Sequence, residues 1–204
     1  MGADMIRGAR HWNDRGRYYI QSNNSIESAL ERYGAEVSAV ACGPTSAINC
    51  LEALGVPVES ETPAGWRPQP EDVLTLWFHD QRNWDELRAV RGGTDPASTR
   101  YSPNEVPQYY PPAVRAVFGA RAEFAWVSSH GHVASLIDQG NAVMICFRRP
   151  GHYVAAVAYD DEEGELIYHD SWPSRFPSGN GFARRLDREE YAENVRPFAV
   201  IFCP

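Results

Sequence analysis

The chain has 204 residues, 43% of them hydrophobic, which supports one good core and is too short for two of ordinary size. Its formal charge is -8, so the basic face that phosphate binding requires is missing and no nucleic-acid partner is expected. All 19 basic residues are arginine, and the absence of lysine excludes Schiff-base catalysis, a Ser-Lys dyad and a phosphate-loop lysine.

The N-terminal stretch "MGADMIRGARHWNDRGR" lacks the apolar core of a signal peptide, and no run approaches the roughly 18 apolar residues of a membrane span. A cytoplasmic protein with no membrane partner is expected. "GRYYIQSNN" reads as a short aromatic strand or extended piece, and "SIESALERYG" as a short helix ending at Gly34. A helix follows over 43–54: Ala47, Leu51 and Leu54 recur at helical spacing, Gly55 suits a left-handed cap and Pro57 forbids continuation.

From Pro57 to about Ser128 the sequence turns rich in Pro, Trp and Tyr. One helix is predicted from Pro70, with Glu71 and Asp72 favourably placed in its first turn. Another is predicted from "SPNE", where Ser102 and Glu105 have capping-box spacing, and "GGTDPAST" between the two is a loop. Trp77 and Trp84 are expected to form a satellite core, alongside Trp66, Tyr109 and Tyr110 in the same segment.

Beyond it, "HVASLIDQG" reads as an amphipathic helix closed by Gly140. "NAVMICF", "HYVAAVAYD", "GELIYHD" and "RPFAVIFCP" read as strands, the middle two forming an antiparallel hairpin across "DDEEG". Helices early and an antiparallel sheet late define an α+β fold class. The expected organisation is a single domain over 1–204 with a Pro/aromatic-rich helical insert at about 57–128.

Cys42 lies at the front of the first strong helix, where unpaired backbone N–H groups and the helix dipole stabilise a thiolate and offer donors to an oxyanion. A buried structural cysteine is the competing reading. A thiolate nucleophile needs an imidazole, and the imidazole needs a group that fixes its tautomer. His152 opens a strand and Asp170 ends the next one, so the hairpin presents the two together at one edge of the sheet. Cys50 lies eight residues from Cys42 on one helix, about 12 Å away along its axis, beyond the reach of a disulfide.

No metal or cofactor is expected. His130 and His132 have no carboxylate or thiol at helical ligand spacing, and "DDEE" fits no calcium loop. By strand alternation His169 faces away from the side of Asp170.

Taken together, "ACGPTSAINCLEALG", "HVASLIDQGNAVMICF" and "PGHYVAAVAYDDEEGELIYHDSW" resemble the papain-like cysteine peptidases, and within them the branch of bacteriocin-processing, double-glycine leader peptidases. The resemblance covers residues 18–55 and 130–172. It implies a papain-like fold, N-terminal helices packed on a C-terminal antiparallel sheet, and a peptide or protein substrate. It implies Cys42 as nucleophile, His152 as general base and acid, and Asp170 as the orienting residue. It also implies an oxyanion glutamine, a slot that Gln21 fills. Two alternatives stay open: γ-glutamyl transfer of the phytochelatin-synthase type, and a papain-like scaffold retained for binding.

Overall fold

The computed structural model describes residues 6–23, 41–59, 69–98 and 102–204. Its centre is a seven-stranded sheet with every pairing antiparallel. The strands are β1 (Ile6–Gly8), β2 (Arg121–Ala125), β3 (Ala142–Phe147), β4 (His152–Asp160), β5 (Glu165–His169), β6 (Arg184–Leu186) and β7 (Val195–Cys203). They lie in the order β2-β7-β3-β4-β5-β6. β1 pairs with the far end of β4, Ile6 opposite Asp160, beyond the point where β3 stops.

The helices among the described residues are α1 (Cys42–Leu54), α2 (Pro70–His79), α3 (Trp84–Val90), α4 (Tyr110–Phe118), α5 (His130–Asp138) and α6 (Arg188–Asn194). With the antiparallel sheet they make an α+β fold, as the pattern of helices and strands predicts. No helix among the described residues is long and apolar enough to cross a membrane.

The sheet is covered on both faces, which is why β3 and β4 read as continuous apolar runs. Met144, Cys146, Tyr153, Ala155 and Val157 face α1, α2 and α4. Val143, Ile145, Val154 and Ala156 alternate to the other face, under α5 and α6. Ile48 and Leu51 of α1 have no solvent exposure, and burying each contributes about 1.5–3 kcal/mol. Gly55 ends α1 at φ 79°, in the left-handed region expected of it.

Several local expectations change. Of the two readings of "GRYYIQSNN", the described residues take the extended piece and not the strand, with Tyr18 extended between two 3-10 turns, Arg15–Arg17 and Gln21–Asn23. The predicted short helix at "SIESALERYG" and Trp66 lie outside the described residues. Ser102 and Glu105 do form a capping box, but on a single 3-10 turn, and the α-helix begins only at Tyr110. Pro107 opens a further 3-10 turn first, and Pro111 and Pro112 fall in the first turn of α4, where a missing N–H costs nothing. Trp77 and Trp84 form no satellite core: they pack on the main cluster, as do the fully buried Tyr109 and Tyr110.

Candidate active site

Helix α1 carries Cys42 as its first residue, and two polar side chains fix its seat. Ser46 Oγ donates to the Tyr153 carbonyl at 2.9 Å, locking α1 onto β4. Asn49 grips the Tyr19 backbone from both sides, accepting from its N–H (2.8 Å) and donating to its carbonyl (3.1 Å). Gly43 is required where it stands, because a Cβ there would collide with the Tyr110 hydroxyl and would lie 2.7 Å from the Asn104 carbonyl. The insert is therefore pressed directly against the first turn of α1.

The Asn49 grip delivers the segment that carries Gln21. Its backbone N–H donates to the Ser171 carbonyl (2.9 Å), and its Oε1 accepts from Ser171 Oγ (2.9 Å). That bond uses the acceptor end of the amide, whereas an oxyanion would need the donor end. Gln21 is buried and lines one cleft together with Cys42, His152 and Trp172.

His152 is the first residue of β4 and is 2% exposed. Its Nε2 donates to Asp170 Oδ1 at 2.6 Å, which leaves Nδ1 as the ring nitrogen for Cys42, whose side chain is close enough to act on the ring's pKa. Burial works to lower the imidazole pKa, but the Asp170 hydrogen bond, the neighbouring Cys42 side chain and the charges of both partners outweigh it and hold it above the ordinary value. Trp172 stands edge-on to the ring at 5.9 Å and is 39% exposed, a partial shield and not a core residue.

Asp170 has no solvent exposure, and both its oxygens are used. Besides His152, Oδ1 accepts from the Trp172 N–H (2.8 Å), while Oδ2 accepts from Arg175 Nη1 (3.1 Å). Its backbone is held as well, the N–H by the Gly181 carbonyl (2.8 Å) and the carbonyl by the Tyr18 hydroxyl (2.5 Å). The sequence reading names neither Arg175 nor Tyr18. Arg175 sits on a loop whose path only the tertiary structure defines; Tyr18 lies three residues before Gln21, inside the quoted segment, but reads there as a strand aromatic.

The other candidates stand apart from this group. His169 is stacked on Phe182 (4.6 Å), its Nδ1 accepts from the Ala183 N–H, and burial pushes its pKa down to about 4. His130 is buried at the start of α5, with Nε2 3.2 Å from the Leu186 carbonyl, and His132 is exposed. Among the described residues no cluster of His, Cys, Asp or Glu is arranged to hold a metal ion. All four cysteines are free; burial raises Cys50 well above an ordinary thiol, and burial pushes Cys146 up to about 12.

Two clefts meet at Cys42. One is bordered by Gln21, His152 and Trp172. The other lies on the insert side, between Glu105–Gln108 and the aromatic residues Phe124, Trp126 and Phe198. A thiol that is only 7% exposed thus opens on both, with an imidazole on one side. Such an arrangement can pass a proton between sulfur and ring and hold an acyl group on the sulfur.

No curated protein matches the chain. A scan against protein families matches residues 16–194 to the Peptidase_C39 like family, a span that contains Gln21, Cys42, His152 and Asp170. That branch lies among the papain-like cysteine peptidases, and the match extends the resemblance across the segment between its quoted motifs: the chain belongs to the Peptidase_C39 like family.

Proposed function

We propose that the chain is a cysteine peptidase that cleaves a peptide or isopeptide bond through a thioester acyl-enzyme. The observation that carries the reading is His152, hydrogen-bonded to Asp170 and beside Cys42 where two clefts meet. In this reading Cys42 Sγ attacks the carbonyl carbon and its proton passes to His152. The negative oxygen is met by backbone N–H groups at the front of α1 and by the Gln21 amide. His152 then gives its proton to the departing amine, leaving a thioester on Cys42. Water, deprotonated by His152, attacks the thioester, and the carboxylic acid and the free thiol are regenerated.

Asp170 holds the ring with Nδ1 towards the sulfur and stabilises the imidazolium, the orienting role that a buried carboxylate performs. Arg175, on its other oxygen, holds that carboxylate in place. The packing of α1 against β4 supports a papain-like arrangement, and the single chain of contacts from insert to Gly43 supports one domain over 1–204, with the insert at about 57–128 forming one wall of the cleft.

The test is digestion of a peptide library read by mass spectrometry, with the parent protein and Cys42→Ala side by side. Cleavage by the parent and none by the variant is expected, and cleavage retained in Cys42→Ala would refute it. Repeating the digestion with an added amine separates hydrolysis from acyl transfer, because transfer would give the amide in place of the acid.

A further inference from the structure

The insert-side cleft carries two guanidinium groups with no carboxylate assigned to them. Arg91 lies over the Tyr109 ring at 6.0 Å and Arg196 is partly buried, its Nε atom enclosed without a hydrogen-bond partner. Neither forms an ion pair among the described residues, in a chain whose net charge is -8. Glu105, on the same wall, forms no ion pair with either arginine and has one carboxylate oxygen taken by the Ser102 N–H at 2.8 Å in the capping box, so the wall carries two positive charges against one negative. Partly desolvating a cation without a counter-charge is unfavourable, and an anion arriving in the cleft removes the penalty.

Beside the arginines stands an aromatic platform. Trp126 is 71% exposed and makes edge contacts with Phe124 (5.8 Å) and Phe198 (6.5 Å). An indole held out in water by two rings serves as an apolar landing surface.

Chemistry assigns the direction of the substrate. The general acid must reach the leaving amine, and His152 borders only the other cleft. The amine side of the scissile bond therefore lies with His152 and Trp172, and the acyl side lies along the insert. Resting on the peptidase reading above, we propose that the insert-side cleft is an acyl-side specificity site. It takes a peptide that carries, just N-terminal to the scissile bond, an Asp or Glu side chain and a large apolar or aromatic side chain. The carboxylate sits between Arg91 and Arg196 and the apolar group rests on Trp126.

The experiment uses the full chain and a positional library of N-acetylated tetrapeptide coumarin amides, with Glu, Gln, Arg and Phe exchanged at each position. At one position Glu should exceed Gln in kcat/KM by about tenfold or more, the scale of one charge-assisted hydrogen bond. The Glu-to-Gln ratio should fall towards one in Arg196→Gln, with Arg91→Gln as the second variant should the first not fold. Turnover with no acidic preference, or a preference kept in both variants, overturns the specificity site and leaves the peptidase reading standing. Should no peptide be turned over, the same tetrapeptides as plain amides are titrated against Cys42→Ala. Tighter binding of the Glu peptide that is lost in Arg196→Gln then supports the site while the peptidase reading fails, and equal binding of Glu and Gln peptides refutes the site.

Discussion

The two sides of Cys42 differ in how their charges are treated. On the His152 side, Asp170 makes three side-chain hydrogen bonds, to His152, Trp172 and Arg175, and its backbone makes two more. On the insert side, Arg91 and Arg196 have no ion pair among the described residues, and elsewhere in the insert Glu71 of α2, which lines neither cleft, is fully buried with neither oxygen hydrogen-bonded. Charges that are mutually satisfied hold a geometry before any substrate arrives, which is what proton transfer needs. Charges left unsatisfied lower stability until something else meets them.

The comparison breaks most severely if its satisfied side is cut. Cys42→Ala and His152→Ala are each expected to lower kcat by about 10⁴-fold or more, measured on any peptide the parent cleaves, since members of such a unit fail together. Asp170→Ala should also destabilise the fold by about 3–5 kcal/mol in chemical denaturation, because Arg175 loses its buried partner.

Gln21→Ala tests the neighbouring element and should cost about 10²- to 10³-fold in kcat, the scale of one oxyanion donor. The pH profile sharpens the point. Asp170 raises the His152 pKa, so Asp170→Asn should move the alkaline limb of kcat/KM to lower pH, and Arg175→Gln should move it the opposite way by leaving the carboxylate charge uncompensated.

On the insert side the expected effect is smaller and concerns stability. Burial, assisted by the nearby Asp72 charge, raises Glu71 from 4.5 to about 7. A raised carboxyl in the folded state means that its contribution is fully present below pH 4.5 and is lost as pH climbs towards 7. Glu71→Gln should remove that slope, making the variant more stable than the parent by on the order of 3 kcal/mol above pH 7 and similar to it near pH 4, as read by urea denaturation.

Much of the frame is legible in residues alone. Gly55 after Leu54, Pro70 before Glu71 and the turn at "DDEEG" are local signals, and each marks the end or start of an element in the structure. Strands β3, β4 and β7 read clearly because both faces of the sheet are covered, which leaves long apolar runs. The short strands β1, β2 and β6 and the helices α3 and α6 did not announce themselves, since three to seven residues are too few to express a period and their pairing depends on neighbours distant in sequence. "GRYYIQSNN" leaves two readings open for a related reason: its aromatic residues favour a strand, but Asn49 and Ser171 have taken the backbone groups that a strand partner would need.

At the site, His152 and Asp170 are adjacent in the structure because a hairpin register brings them together, and register can be read from a turn. The Ser171 brace on Gln21, the Asn49 grip and the Arg175 ion pair join segments separated by up to 150 residues or lie on an irregular loop, and no local pattern encodes them. Asn49 gives a hint, a buried polar residue in α1 that shares its face with the buried Ser46 and Glu52.

Alkylation kinetics show whether the His152 ring acts on the Cys42 sulfur. Iodoacetamide labelling, followed cysteine by cysteine by mass spectrometry, should modify Cys42 about tenfold or more faster than Cys50, Cys146 and Cys203, and His152→Ala should erase that advantage. Equal rates at all four cysteines, or a fast Cys42 that is indifferent to the loss of His152, would contradict the account.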